Sequence, residues 1–255
     1  MFNRQEILNT DVPIKKDLLR IFKKTEKLLI FDIGSCEGED SIRYAKLFPN
    51  ASVFAFEPLP KNQQLILDNI TRHQASRVQL FKMALSKTEG WQDFYVSSGQ
   101  PDGADTSNNW DFGNKSSSLL APNQVLDTVK WLKFDTTISV YTNTLNNFMI
   151  EHQIKAIDFI HMDVQGAELD VLTGAGKYLQ NIKAIWLEIA ETPLYREQPL
   201  RTDVEKFMNV NSFKLIKTQI ENEVGDQLYI NTRYFSERSF LGLKRFKQIH
   251  PDIHA

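Results

Sequence analysis

The residues with chemistry to offer fall at the ends of apolar runs. Asp32-Ile33-Gly34-Ser35-Cys36-Glu37-Gly38 closes one run and Glu57-Pro58-Leu59 a second. Lys82-Met83-Ala84-Leu85-Ser86 closes a third, His161-Met162-Asp163-Val164-Gln165-Gly166 a fourth, and Glu188 a fifth. Carboxylates dominate this set. They repel a phosphate-rich ligand and suit one that presents hydroxyls, an ammonium group or another cation. Gly34 permits a tight turn, and Gly38 lets the following helix start close to a ligand. Asp32 and Glu57 stand one strand–helix–strand unit apart, which puts Glu57 where a ribose presents its vicinal hydroxyls. A carboxylate accepts both of those hydrogen bonds at once.

The glycine spacing bears on which nucleotide this is. A pyrophosphate dinucleotide calls for G-x-G-x-x-G, whereas Cys36 interrupts the pattern here and leaves G-x-x-x-G. That argues against NAD. An acidic residue two positions before the first glycine fits S-adenosylmethionine better, because this cofactor carries an ammonium and a sulfonium charge and no phosphate.

An alternation of strands and helices must position these groups. Residues 14–24 read as an amphipathic helix with Leu18, Leu19 and Phe22 on one side. Leu28–Ile33 reads as a strand buried on both faces of a parallel sheet. Helices over 38–47 and 60–73 flank strands at Ser52–Glu57 and Val78–Lys82. Further on come a β-rich stretch at 131–141, a helix at 144–152, a strand at Ala156–Met162, a helix at 167–179 and a strand at Ile182–Ile189. Phe213–Thr218 and Gln227–Ile230, joined through Asn222 and Gly225, read as a closing antiparallel hairpin. The expected fold is α/β: a mainly parallel sheet with helices on both faces and ligands at the carboxyl ends of the strands. One domain is expected, with a helical extension at 1–27, a core at 28–231 and a basic, aromatic tail at 232–255.

At this point the chain resembles the FkbM-type methyltransferases. The resemblance starts with Phe31-Asp32-Ile33-Gly34-Ser35-Cys36-Glu37-Gly38 and Ala55-Phe56-Glu57-Pro58. Ala84-Leu85-Ser86, Ser116-Ser117-Ser118-Leu119 and Thr144-Leu145 follow in the family's order. Its most specific part is Asp163-Val164-Gln165-Gly166-Ala167-Glu168 with Val171-Leu172. It implies a Rossmann-like class I fold, S-adenosylmethionine as donor and usually a hydroxyl as acceptor. It also implies that Glu57 holds the ribose, with Pro58 and Leu59 beside it. Asp32, Gly34 and Gly38, with Ser35 between them, would then shape the loop around the methionine part, and Met83 and Ala84 border the adenine. Apart from the resemblance, Asp163 is expected at its strand end beside the methyl group. The family often has Lys at the position of His161.

Methyl transfer from a sulfonium is an in-line displacement with a good leaving group, so alignment is the main task. A hydroxyl acceptor still needs its proton removed by a base or with the help of a metal. His161 and Asp163, two positions apart, share a strand face and are the candidate catalytic residues. For His161 the competing reading is a packed, hydrogen-bonded core histidine. Asp163 and Glu188 end adjacent strands and could hold a divalent cation, although two carboxylates do not specify a site; alternatively Glu188 binds the acceptor or closes a salt bridge. Glu168 would charge the first turn of its helix. Cys36 reads as a packing residue rather than a nucleophile, despite lying near a helix start.

Composition narrows the rest. The chain has 255 residues, 42% hydrophobic and 24% charged, with a formal net charge of −2, which argues against nucleic acid as a partner. A single cysteine excludes an intramolecular disulfide and a cysteine-based zinc site. With no signal peptide or spanning segment, the expected location is the cytoplasm, and the three Asn-x-Ser/Thr matches at Asn50, Asn69 and Asn114 are read as chance. The polar segment 97–120 reads as a lid, a binding loop or a surface excursion, and its Trp110 could contact a sugar face. The stretch Arg238–Lys247 mixes basic and apolar residues. It reads as a packed terminal helix with a solvated basic face, or else as a segment touching a membrane or a partner. The leading function is O-methylation of a hydroxyl on a sugar, glycan or secondary metabolite. An NAD-linked oxidoreductase and a non-catalytic S-adenosylmethionine-binding protein are the alternatives. The sequence does not fix the oligomeric state.

Overall fold

The computed structural model describes residues 7–104, 112–240 and 243–248. Trp110 lies outside them. The five apolar runs form five neighbouring strands, one of them an edge, of a seven-stranded sheet: β1 (Leu29–Ile33), β2 (Ser52–Phe56), β3 (Val78–Phe81), β7 (Ile157–Met162) and β8 (Ile182–Ala190). These five are parallel, in the order β3-β2-β1-β7-β8. The hairpin β9 (Phe213–Glu221) and β10 (Val224–Asn231) completes the sheet, with β10 antiparallel to β8 and β9 outermost. Its turn is at Asn222 and Glu223, both with positive φ. Gly225 lies inside β10, where a Cβ would stand 2.0 Å from the Gln219 carbonyl oxygen.

Alternation along β1 explains the two cores. Phe31 and Ile33 join Phe56, Phe81 and Phe148 on one face, with the Phe81 and Phe148 rings 4.8 Å apart. Ile30 joins Tyr44, Phe48 and Phe159 on the other. The intervening helices are α1 (Lys15–Ile21), α2 (Glu39–Leu47), α3 (Pro60–Arg72), α4 (Val125–Thr128), α5 (Leu145–Glu151), α6 (Glu168–Gly174) and α7 (Arg201–Val210). In α1, Leu18 is buried and Leu19 is exposed, so the expected Leu18–Leu19 face is corrected. Pro60 opens α3, where its missing N–H costs nothing. Thr144 caps α5 by accepting the Asn147 N–H at 3.0 Å. The helix expected at 167–179 is two pieces, α6 and a 3-10 turn at Gly176–Asn181.

Two parts depart from expectation. A second, three-stranded sheet, β4-β6-β5, is built from β4 (Ala84–Leu85), β5 (Gly90–Ser98) and β6 (Lys133–Asn143). The described end of the polar segment is tied to it, with Ser118 bridging to Tyr95. The tail is not a helix: β11 (Phe235–Phe240) pairs antiparallel with β12 (Leu243–Gln248). No helix among the described residues is long and apolar enough to cross a membrane.

Candidate active site

β1 has β2 on one side and β7 on the other. The chain therefore leaves β1 in one direction and returns beside it from the other, which opens a crevice at the carboxyl edge. A cleft with about 530 Å³ of non-atom space, open solvent included, lies there. Strand ends supply Gly34, Phe56, Glu57, Ala84 and Asp163; segment 114–119 supplies Asn114, Lys115, Ser117 and Leu119.

Glu57 is 4% exposed. Its Oε2 accepts the Cys36 N–H at 2.9 Å and its Oε1 the Leu59 N–H at 2.8 Å. Burial pushes its carboxyl up to about 8, against the pull of those two N–H groups. With Asn62 also bonded to the carboxyl, one acceptor position is left for a further donor. Gly34 has φ 84° and donates to the Phe56 carbonyl at 3.1 Å. A Cβ there would stand 1.8 Å from the Asp163 carbonyl oxygen, so only glycine lets the turn after β1 touch the backbone after β7. The Asp163 N–H closes this contact by donating to Ile33 at 3.0 Å. Lys115 lines the cleft, but its ammonium lies 2.9 Å from Glu39. The donor set thus fits a nucleoside that presents hydroxyls and an apolar ring, and has no spare cation here for a pyrophosphate.

At the cleft wall the chain bends through Gln165, at φ 55°. Its Nε2 donates to Asp163 Oδ1 at 2.7 Å and to Glu188 Oε2 at 2.9 Å, while its Oε1 accepts the buried Tyr195 hydroxyl at 2.8 Å. Glu168 lies in the first turn of α6, as expected, but its Oε1 accepts the Val164 and Gly166 N–H groups at 3.1 and 3.2 Å and so clamps the bend. Burial and the Asp163 charge push Glu168 up to about 7. Burial and the charges of Asp163, Glu168 and Asp226 hold Glu188 well above the ordinary carboxylate range.

The chain belongs to the FkbM methyltransferase family. The family's domain model matches residues 32–215. The 2-O-methyltransferase NoeI of Sinorhizobium fredii is 32% identical over 225 residues, 88% of this chain and 87% of that protein. Methyltransferase 1 of Beauveria bassiana is 26% identical over 57% of each chain. Among solved structures, the magnesium protoporphyrin IX methyltransferase of Synechocystis, with bound S-adenosylmethionine, is 12% identical. It matches 88% of this chain and 77% of its own, with a TM-score of 0.48. The protein is an S-adenosylmethionine-dependent methyltransferase with a Rossmann-like fold.

Within this FkbM enzyme, Gly34, Glu57, Pro58, Ala84 and Asp163 line the cleft. Asp32, Ser35, Gly38, Leu59, Met83 and His161 stand behind that lining. Asp32 is 1% exposed, accepts the Ser41 hydroxyl at 2.5 Å and lies 3.1 Å from His161 Nδ1. Ser35 donates to the Asp32 carbonyl at 2.7 Å. Gly38, at φ 76°, precedes α2, and Met83 packs on the core. His161 sits edge-on to Tyr44, 5.6 Å between ring centres. Burial lowers its pKa, but the bond to Asp32 and the charges of Asp40, Asp32 and Asp163 outweigh that and bring it up to about 9. A group charged at neutral pH has no lone pair to take a proton. Burial raises the Cys36 thiol, in keeping with a packing residue.

Sequence reasoning missed Asn62, Phe94, Asn114 and Lys115 as lining residues; Asn114 and Lys115 lie in the polar segment read as a lid, a binding loop or a surface excursion, which was the available signal. Among the described residues, no group of three or more His, Cys, Asp or Glu is arranged to hold a metal. Asp163 and Glu188 share the Gln165 amide and also hydrogen-bond each other directly through their side chains.

Proposed function

We propose that this protein is an O-methyltransferase acting on a hydroxyl of a sugar or similar polyol, with the carboxylate pair Asp163–Glu188 receiving the acceptor's proton. When bound in the cleft, S-adenosylmethionine supplies an electrophilic methyl group on a positively charged sulfur. Glu57 holds the ribose, the Gly34–Gly38 turn borders the methionine part, and Ala84 with Pro58 borders the adenine. Asp163 orients the acceptor oxygen. Glu188, whose proton affinity is raised by burial and by the neighbouring Asp163, receives the proton in its ionised form. His161 is a positioning residue that neutralises Asp32 beneath the turn.

The observation that carries this reading is the Gln165 bridge between Asp163, in the cleft, and Glu188. Glu188 also lines a groove shared with Gln219, Asn222 and Asp226. A groove of amides and carboxylates suits hydroxyls and repels phosphate. The name of the S. fredii relative, a 2-O-methyltransferase, supports an oxygen acceptor. A screen of neutral sugars, glycans and phenols with radiolabelled donor tests the proposal. Label on a neutral sugar hydroxyl, lost about a hundredfold in Asp163→Asn while S-adenosylhomocysteine still binds, is expected. Undiminished turnover in Asp163→Asn removes Asp163 from the mechanism, and methylation confined to nitrogen or sulfur acceptors removes the proposal.

A further inference from the structure

Segment 112–119 is tied to the site from beneath. Ser118 donates through its hydroxyl to the Gln165 carbonyl at 2.8 Å, and the Tyr195 hydroxyl shares its one proton between the Ser116 carbonyl and Gln165 Oε1, each at 2.8 Å. Ser118 and Tyr95 exchange backbone hydrogen bonds of 2.8 and 3.1 Å. This strap holds Asn114, only 3% exposed, against the cleft. Its Nδ2 donates to Glu37 Oε1 at 2.7 Å and to Asn62 Oδ1 at 3.1 Å. Two acceptors at one end of the carboxamide fix which end is nitrogen. The other end, Oδ1, is buried with no hydrogen-bond donor among the described residues. A buried acceptor without a donor is costly, and such an atom in a cleft calls for a ligand donor.

We infer that Asn114 is a cofactor-binding residue: its Oδ1 accepts a hydrogen bond from one ribose hydroxyl of S-adenosylmethionine while Glu57 accepts the other. The inference rests on the cofactor reading above. The cofactor's donors are the two ribose hydroxyls, the ammonium group and the adenine amine. Asn114 belongs to the same network as Glu57. Asn62 hydrogen-bonds the Glu57 carboxylate, and Cys36, whose N–H donates to Glu57, places its Sγ 3.8 Å from the Asn114 carbonyl oxygen. This is the β2–α3 side of the cleft, where the ribose lies. Vicinal hydroxyls carry two protons to donate, and two separate acceptors hold them more specifically than one carboxylate.

Calorimetry tests this with S-adenosylhomocysteine, 5′-methylthioadenosine and the 2′-deoxy and 3′-deoxy forms of the latter. Asn114→Ala should weaken the first two ligands by the same factor, about tenfold. One deoxy ligand should bind wild type and variant alike, because it lacks the hydroxyl that Asn114 reads. A loss confined to S-adenosylhomocysteine would assign the donor to the ammonium group and overturn the inference. So would a loss that persists with both deoxy ligands, which would point to the adenine amine, and so would no loss at all. Should the variant fail to fold, hydrogen exchange on wild type decides: S-adenosylhomocysteine should slow the amides of 113–119 together with those of 34–38. Slowing at 34–38 alone overturns the strap's role. A wild-type protein that binds neither ligand overturns the cofactor reading itself, a distinct result.

Discussion

The two ends of β7 carry buried acids treated in opposite ways. At the amino end, Asp158 is 2% exposed and lies 2.8 Å from the Lys183 ammonium, itself 3% exposed, while its Oδ2 accepts the Leu29 N–H at 2.7 Å. At the carboxyl end, Asp163 and Glu188 meet an amide, Glu168 meets backbone N–H groups, and Asp226 faces Glu188 across the β8–β10 ladder. The amino end is charge-matched. The carboxyl end keeps Glu168 and Glu188, whose proton affinity is raised by burial and by neighbouring carboxylates. A matched pair serves the fold, whereas unmatched acids are tolerated where a ligand or a proton is to be received.

The amino end should give the largest effect on stability. Lys183→Met leaves Asp158 buried without its cation and should cost about 3–5 kcal/mol. Lys183→Met with Asp158→Asn should recover much of that loss in chemical denaturation. A single variant as stable as wild type would erase the contrast. At the carboxyl end the larger effect should fall on binding. Glu57→Ala should weaken S-adenosylhomocysteine about 10- to 100-fold by calorimetry, the cost of leaving buried donors without their acceptor. Its unfolding midpoint should not fall in proportion.

Gln165→Leu sharpens the comparison further. The amide stabilises the ionised forms of Asp163 and Glu188, so its loss should raise their proton affinity. The acid limb of the kcat/KM profile should then move to higher pH and turnover should fall about tenfold, with S-adenosylhomocysteine affinity little changed. An unmoved limb would make Gln165 a packing residue.

What could be read in the sequence follows the same division. β1, β2, β7 and β8 were legible because strands buried on both faces are continuous apolar runs. Gly34, Glu57 and Asp163 were legible because topology puts ligands just past such runs. β5 was not, since only Phe94 and Ser97 of its nine residues are buried and no apolar run announces it. The hairpin β11–β12 was misread as a helix because a mixed basic and apolar stretch satisfies several periods at once. Asn62 and Asn114 reach the cleft from a helix and a strap, at positions set by tertiary contacts with no local pattern. His161 stood in a promising motif, yet only the structure shows that its ring meets Asp32 and Tyr44.

The smallest effect is also the one with a sign. Burial raises Asp226 to about 6; the charge of His161 opposes this, and those of Asp163 and Asp40 add to it. A carboxyl raised above its unfolded value of 3.8 binds its proton more tightly in the folded state. Its contribution to stability is therefore present at low pH and lost as pH rises from about 4 through about 6. Asp226→Asn imitates the protonated form. It should leave stability unchanged at pH 4 and raise it by about 1 kcal/mol at pH 8, a value discounted for the group's partial exposure. The same substitution at Asp158 should destabilise at pH 8, because there it strands Lys183. Denaturant unfolding of both variants at the two pH values reads the difference directly. Loss of stability in Asp226→Asn at pH 8 would mean that the carboxyl edge, like the amino edge, is matched by a cation.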